Sequence, residues 1–445
     1  MVNLSEYPQP LVSTFDEEFL QVPEEIIVDA MLMHQRYFPL YDAAGKLTNK
    51  FIIVSNGNPE CAATIIDGNE RVVRARLDDA KFFYEEDLKH PLESYIEKLD
   101  KVVFQESLGT VRQKAERLEK LACALSADAQ LSAADAADAK RAARLCKADL
   151  VTNAVIEFTS VQGVMGSYYA AASGETPQVA QAIGQHYQPR FAGDALPDTT
   201  VGKLVALADK LDTICGLFAV GQGPTGSSDP FALRRSAIGI VNMLETGLPI
   251  SLAAAIDESL ASFAAQGVAF DAAAVRAEVV NFFVTRTKVM LRDGGVNADT
   301  IDAVLAAGVE EPAVISQRAH ALEDARANDA ETFDNLATAY ARANNLRKPE
   351  LGEGVDDALL TEPERALAGA VATAEQAVAS ALASDDFAAA LSQLAALRAP
   401  IDGFFADVMV MDEDAALRDN RLRLLNRFVA VFANVADFGK MAKSK

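Results

Sequence analysis

The stretch Leu88-Lys-His-Pro-Leu-Glu-Ser-Tyr-Ile-Glu-Lys-Leu-Asp-Lys-Val-Val103 marks where the chain changes its period. Leu88, Leu92, Tyr95, Ile96, Leu99, Val102 and Val103 recur at three- and four-residue steps, the spacing of one helical face. Asp87 can close the preceding helix, and Pro91 can start the next because a helix tolerates proline in its first turn. From 78 to the end the same periodicity predicts helix after helix. Upstream, Phe51-Ile-Ile-Val-Ser55 and Arg71-Val-Val-Arg-Ala-Arg-Leu77 are β-branched runs bounded by Asn56-Gly57 and Asp67-Gly68-Asn69, and both read as strands. The fold class is therefore mainly α with an α/β segment at the N-terminal end. That opening starts without a preceding element and reads as cut from something longer.

Composition supports this reading. At 445 residues the chain exceeds what one hydrophobic core sustains, so two or three domains are expected. Half the residues are hydrophobic, tryptophan is absent and alanine is abundant, which favours helices. The formal net charge of -23 argues against general polyanion binding, so any RNA contact must be local. Cys61, Cys123, Cys146 and Cys215 show neither a disulfide nor a zinc spacing and read as reduced, buried thiols of a cytoplasmic protein. The acidic opening, with Glu6, Asp16, Glu17 and Glu18, is not a signal peptide, and no apolar run reads as long enough to span a bilayer.

Landmarks follow in order: His34-Gln-Arg-Tyr-Phe-Pro39, the run from Arg74-Ala-Arg-Leu-Asp-Asp to Tyr84-Glu-Glu-Asp87, Leu145-Cys-Lys-Ala-Asp-Leu-Val-Thr152 and Gln162-Gly-Val-Met-Gly166. Beyond them come Tyr187-Gln-Pro-Arg-Phe-Ala-Gly-Asp194, Ala208-Asp-Lys-Leu-Asp-Thr213, Asp229-Pro-Phe-Ala-Leu-Arg-Arg235 and Phe404-Phe-Ala-Asp-Val-Met-Val-Met411. With these eight phrases in this order, the chain resembles the β subunit of the two-subunit bacterial glycyl-tRNA synthetase. The resemblance implies a shortened N-terminal region and a division of labour in an assembly of two α and two β chains. The α subunit would bind ATP, Mg and glycine and make the adenylate, while the β chain grips tRNA(Gly). No Gly-x-x-x-x-Gly-Lys-[Ser/Thr] phosphate loop is present, and no cofactor or catalytic residue is expected on this chain.

The resemblance also sets the expected domains: an α/β segment over 1–103, a helical HD-like domain over 104–309, a helical connector and linker over 310–357, and an anticodon-binding-like helical domain over 358–445. HD hydrolases hold divalent metal with histidines and aspartates. Here the matching positions read Asp149, His186 and Asp209, and no histidine stands at 113–120, where the first ligand belongs. Metal chemistry of this kind needs imidazole nitrogens as well as carboxylates, so the domain is expected to be silent and metal-free.

Candidate tRNA contacts come from three places. In the last helix Arg418 and Arg421 lie three apart and Arg423 and Arg427 four apart, which predicts a basic ridge suited to phosphates and unpaired bases. The alternative for these arginines is pairing with Asp412, Glu413, Asp414 or Asp419. On the predicted strand, Arg74 and Arg76 share one face, which is a solvated face or a track for RNA backbone. The Gly221–Asp229 loop is read as capped by Ser228 or Asp229, with Arg234 and Arg235 in the helix that follows. That arrangement is an ordinary helix start or a cradle for an acceptor-stem phosphate. His34 with Tyr37 and Phe38 forms an aromatic cluster or a base-stacking site, and Phe404, Phe405 and Phe428 fall in step with core residues.

Overall fold

A computed structural model describes residues 5–441, apart from the side chain of His34, so the stacking considered for that ring lies outside the described residues. The protein is 68% helix and 6% strand, mainly α as the periodicity predicts. It divides into two compact units: Met1–Met243 with Leu248–Val279, and Leu244–Gly247 with Val280–Lys445. The expected 1–103 segment and most of 104–309 thus share one unit. The division falls inside the helix Ala272–Asp293.

In the first unit, Gln9–Thr14 and Phe38–Tyr41 flank Leu47–Ser55 in a three-stranded antiparallel sheet. The register sets Leu11 opposite Ile53 and Phe38 opposite Ile52. Alternation along Leu47–Ser55 buries Leu47, Phe51 and Ile53. Phe51 is fully buried against Tyr37, ring centres 5.3 Å apart, so Tyr37 is a packing residue while Phe38 stays exposed.

Residues 71–77, predicted as a strand, lie instead within the helix Ala62–Asp87. Packing decides it: Val73, Leu77 and Ala80 step by four and three onto one buried face and outweigh the local preference of Val72-Val73. The Gly68-Asn69 turn signal is absorbed, with the Asn69 side-chain amide donating to the Ile65 carbonyl at 2.7 Å. The deciding stretch itself is tighter than expected. Leu92–Lys101 winds as a 3-10 helix burying Leu92, Tyr95, Ile96 and Leu99, and Val103–Gln105 turns back as a short strand against Gly109–Thr110. Asp87 does end its helix. Its buried carboxylate accepts from the backbone N–H of Asn153 and of Ala154 and from the Tyr169 hydroxyl, all within 3.0 Å.

The second unit packs Ile315, Ala319, Leu322, Phe333, Leu336 and Tyr340 into one core with Phe404, Phe428 and Phe432. The stretch 310–357 is therefore not a connector with a linker. Its helices Pro312–Asn328 and Ala330–Leu346 build the core. Its acidic end is pinned to the helix Ala415–Ala433: Asn426 donates to the carbonyls of Lys348 and Gly352, and Asn420 exchanges bonds with both Asp356 backbone groups. Buried amides satisfy backbone groups that would otherwise lose their solvent partners. Two smaller readings also change. Cys61 and Cys123 are exposed, only Cys146 and Cys215 are buried, and all four are free thiols. Helix Glu362–Ala383 is long and apolar enough to cross a membrane by length and composition, through its alanines. Leu367, Val371 and Val378 bury one of its faces in the second unit's core.

Candidate functional site

The predicted HD-like positions converge on a buried ionic centre in the first unit. Helix Val111–Asp128, opened by a Thr110/Gln113 capping box, sends Lys114 and Arg117 inward three residues apart. Helix Thr200–Ala219 faces them with Asp209 and Asp212 at the same spacing. The Lys114 ammonium lies 3.0 Å from carboxylates of both Asp209 and Asp212, and Arg117 forks onto Asp212 at 2.7 and 3.0 Å. A second ammonium, that of Lys147, donates to the other Asp209 oxygen at 2.8 Å.

Lys147 also settles the state of His186. The imidazole Nδ1 lies 2.6 Å from the Ile183 carbonyl, which can only accept, so Nδ1 carries the proton. Nε2 therefore accepts from the Lys147 ammonium at 2.9 Å. Burial, and then the Lys147 charge, hold the imidazole well below its ordinary range, so it is neutral. Burial alone would raise the Asp209 carboxyl, but Lys114 and Lys147 hold it well below the usual carboxylate range. The lone pair and carboxylate that would ligate a metal are both engaged by ammonium groups. Among the described residues no group of three or more His, Cys, Asp or Glu side chains is placed to hold a metal ion.

Asp149 does other work. It is fully buried, and one oxygen accepts from the N–H of Gly163 at 2.5 Å and of Gly166 at 3.1 Å, where the helix Val164–Ala172 begins. Burial pushes its carboxyl up to about 6, against the pull of those two donors. The glycines of Gln162-Gly-Val-Met-Gly166 are explained by this contact: Gly163 sits at φ +81°, and a Cβ on Gly166 would come within 3.0 Å of the Asp149 carboxylate. A carboxylate at a helix N-terminus meets unpaired N–H groups and the positive end of the dipole.

Beside this centre opens a pocket of about 280 Å3 lined by Tyr187, Pro189, Arg190, Lys210, Thr213 and Arg235, with Asp209 at its edge. Gly239 lets the helix Leu233–Glu245 close on it, since a Cβ there would meet Pro189 Cγ at 2.9 Å. The two arginines of that helix part company. Arg234 donates to the Gly226 carbonyl at 2.6 Å and staples the preceding loop, while Arg235 faces the pocket. Within the loop, Thr225 and Ser228 exchange their own backbone bonds. Asp229 does cap the helix, its carboxylate accepting from the N–H of Leu233 and Arg234, but the helix begins at Leu233 and not at Pro230 directly after the cap.

The other expected RNA contacts change character. Arg74 and Arg76 lie two residues apart on a helix, hence about 200° apart, and do not share a face. Arg74 pairs with Asp16 and Arg76 with Glu157. Nor is there an exposed arginine ridge over 418–427. Arg421 is buried, held by Glu364, by Asp412 at 2.7 Å and by the Met409 carbonyl at 2.9 Å. Arg427 grips Glu375 through two bonds of 2.7 and 2.6 Å, Arg423 donates to the Leu351 carbonyl, and Arg418 lies against Asp412 and Asp419. The pairing alternative fits Arg421 through Asp412, but Glu364 and Glu375 are more than fifty residues away and no local pattern announces them. Lys114, Lys147, Arg190 and Lys210 line this region without any sequence pattern that announces them. Lys114 stands within 113–120, where the first HD ligand belongs, and Lys147, Arg190 and Lys210 fall within 145–152, 187–194 and 208–213.

Comparison with known proteins gives two family matches in succession along the chain. Residues 336–438 match the family model described as "DALR anticodon binding domain", which sets the helical second unit in the class of anticodon-binding modules. Residues 1–306 match the model "Glycyl-tRNA synthetase beta subunit", and the chain belongs to that family. It is 44% identical over 449 residues to the glycine–tRNA ligase β subunit of Desulforamulus reducens, covering 99% of this chain and 64% of that protein. Against those of Haemophilus influenzae strain PittEE and Shewanella oneidensis the identities are 45% and 44%, each over 98% of this chain and 63% of the relative. The chain thus spans just under two thirds of these relatives' length.

Proposed function

We propose that this chain is the tRNA-handling part of a cytoplasmic glycine–tRNA ligase, acting with an α subunit in a two-α, two-β assembly. The α subunit would hold ATP, Mg and glycine and form the adenylate. What carries the reading is the succession of the two family matches along one chain, a β-subunit body followed by an anticodon-binding module. The first unit's centre supports giving this chain no bond-making step, because Lys114 and Lys147 occupy the groups that would otherwise bind metal.

The anticodon contact then falls to cations of the second unit that hold no carboxylate. Arg342 is exposed and lies 4.1 Å over the Phe405 ring, and Arg347 and Lys348 are exposed at the end of the same helix. An arginine already stacked on an aromatic ring presents its other face to an unpaired base. Titration of labelled tRNA(Gly) with the full chain, at stated low and moderate salt, tests this. Arg342→Ala with Arg347→Ala weakens binding about tenfold or more; unchanged affinity would remove this surface from the proposal. Glycine charging by the chain with an α subunit, absent from either alone, tests the division of labour.

A further inference from the structure

We infer that the pocket between the 187–190 loop and the helix Leu233–Glu245 binds a phosphorylated nucleoside, its phosphate held by Arg190 and Arg235. The charge balance points there. In a chain of net charge -23, neither guanidinium has a carboxylate partner among the described residues. The guanidinium groups of Arg190 and Arg235 reach backbone carbonyls, with Arg235 Nη1 3.3 Å from that of Arg190 and Arg190 Nη2 3.5 Å from that of Gln162, while the Asp194 carboxylate accepts from the Arg190 backbone N–H at 2.6 Å. Lys210, 8% exposed, lines the same cavity and donates only to the carbonyls of Tyr187 and His186. Opposing these three cations is Asp209, and its carboxylate is already engaged behind the pocket by Lys114 and Lys147. The cavity is left with an excess of positive charge that an anion would neutralise.

Guanidinium forks match a phosphate's oxygens, and Tyr187 supplies an aromatic wall beside them. A volume of about 280 Å3 lies near the small end of ligand pockets, which run roughly 300–1,000 Å3. It suits a single nucleotide and is too small for a duplex stem. That nucleotide is either free or the end of an RNA strand, and the measurement separates the two.

Calorimetric titration of the full chain with adenosine monophosphate, with inorganic phosphate and with a single-stranded RNA hexamer bearing a terminal phosphate provides the test. The expected result is binding of the mononucleotide or the hexamer, weakened about tenfold by Arg190→Gln and by Arg235→Gln. Arg112→Gln, a charge lost elsewhere, leaves it unchanged at moderate salt. A hexamer bound at least about tenfold tighter than the mononucleotide identifies an RNA end; equal affinities identify a free nucleotide. Inorganic phosphate binding as tightly as either would overturn the nucleoside part. No binding of any probe at about 1 mM and low salt, or affinity that ignores both substitutions, would overturn the site. The mononucleotide arm needs no tRNA, so its failure and a failure of the tRNA reading can be told apart.

Discussion

Arg421 and Arg235 carry the same charge, each on a helix, and the protein treats them in opposite ways. Arg421 is enclosed by Glu364, Asp412 and a backbone carbonyl, while Arg235 faces a cavity whose lining acid, Asp209, is already held by Lys114 and Lys147. Arginines clustered in sequence, as over 418–427, are here the ones that hold a fold together. Arg190 in the Pro-Arg loop and Arg235 on the helix beside it are the ones left available. In an acidic chain the matched arginine is the common case, so the unmatched one marks a site.

Breaking the matched side has the largest effect. Arg421→Ala leaves Glu364 buried without its partner and costs about 3–5 kcal/mol, read as a shift in urea denaturation of the second unit. A loss below about 1 kcal/mol would mean that solvent reaches Glu364 and that the arginine is not enclosed. Acid sharpens the same point. Burial would raise the Glu364 carboxyl, but the Thr361 N–H and Arg421 outweigh it and hold it low. Its stabilisation is present above the ordinary carboxylate value and is lost as pH falls through the lower, folded one.

In the first unit the sign differs between two buried groups. His186 stays neutral when folded, so stability falls below its ordinary value of 6.5 as the unfolded chain takes up the proton, by at most about 1.4 kcal/mol per pH unit. Asp149, pushed up to about 6, binds its proton in the folded state first and opposes that loss from about 6 down to its ordinary 3.8. Asp149→Asn therefore makes the fall in stability below pH 6 steeper, a difference visible in denaturation curves at pH 7, 6 and 5. A slope identical to that of the unmodified chain would show Asp149 already protonated or solvated.

Smaller effects complete the series. Arg427→Ala removes a half-exposed fork to Glu375 and costs about 1 kcal/mol or less. Arg235→Gln changes stability by no more than about 0.5 kcal/mol, because no protein acid loses a partner. A large loss there would mean that Arg235 holds the loop and is not available to a ligand.

Periodicity was readable wherever one face meets one core. It predicted the helical class, the strand at 51–55, the Asp229 cap and the core placement of Phe404 and Phe428. It misled at 71–77, where β-branched residues take a helix because Val73, Leu77 and Ala80 have a surface to pack on, and at 310–357, where polar anchors lie some seventy residues away. The ionic centre was half legible. His186 and Asp209 could be named, but a search for missing histidines looks past Lys114 and Lys147, because two lysines in separate helices carry no spacing that joins them.

The Lys147 ammonium on His186 Nε2 also bears on the permanence of the centre. With Nε2 already accepting from Lys147, the lone pair of the central imidazole is taken up by one of the chain's own side chains. The charges that balance Asp209 come from two lysines covalently built into the chain, so this pairing cannot be lost by dilution.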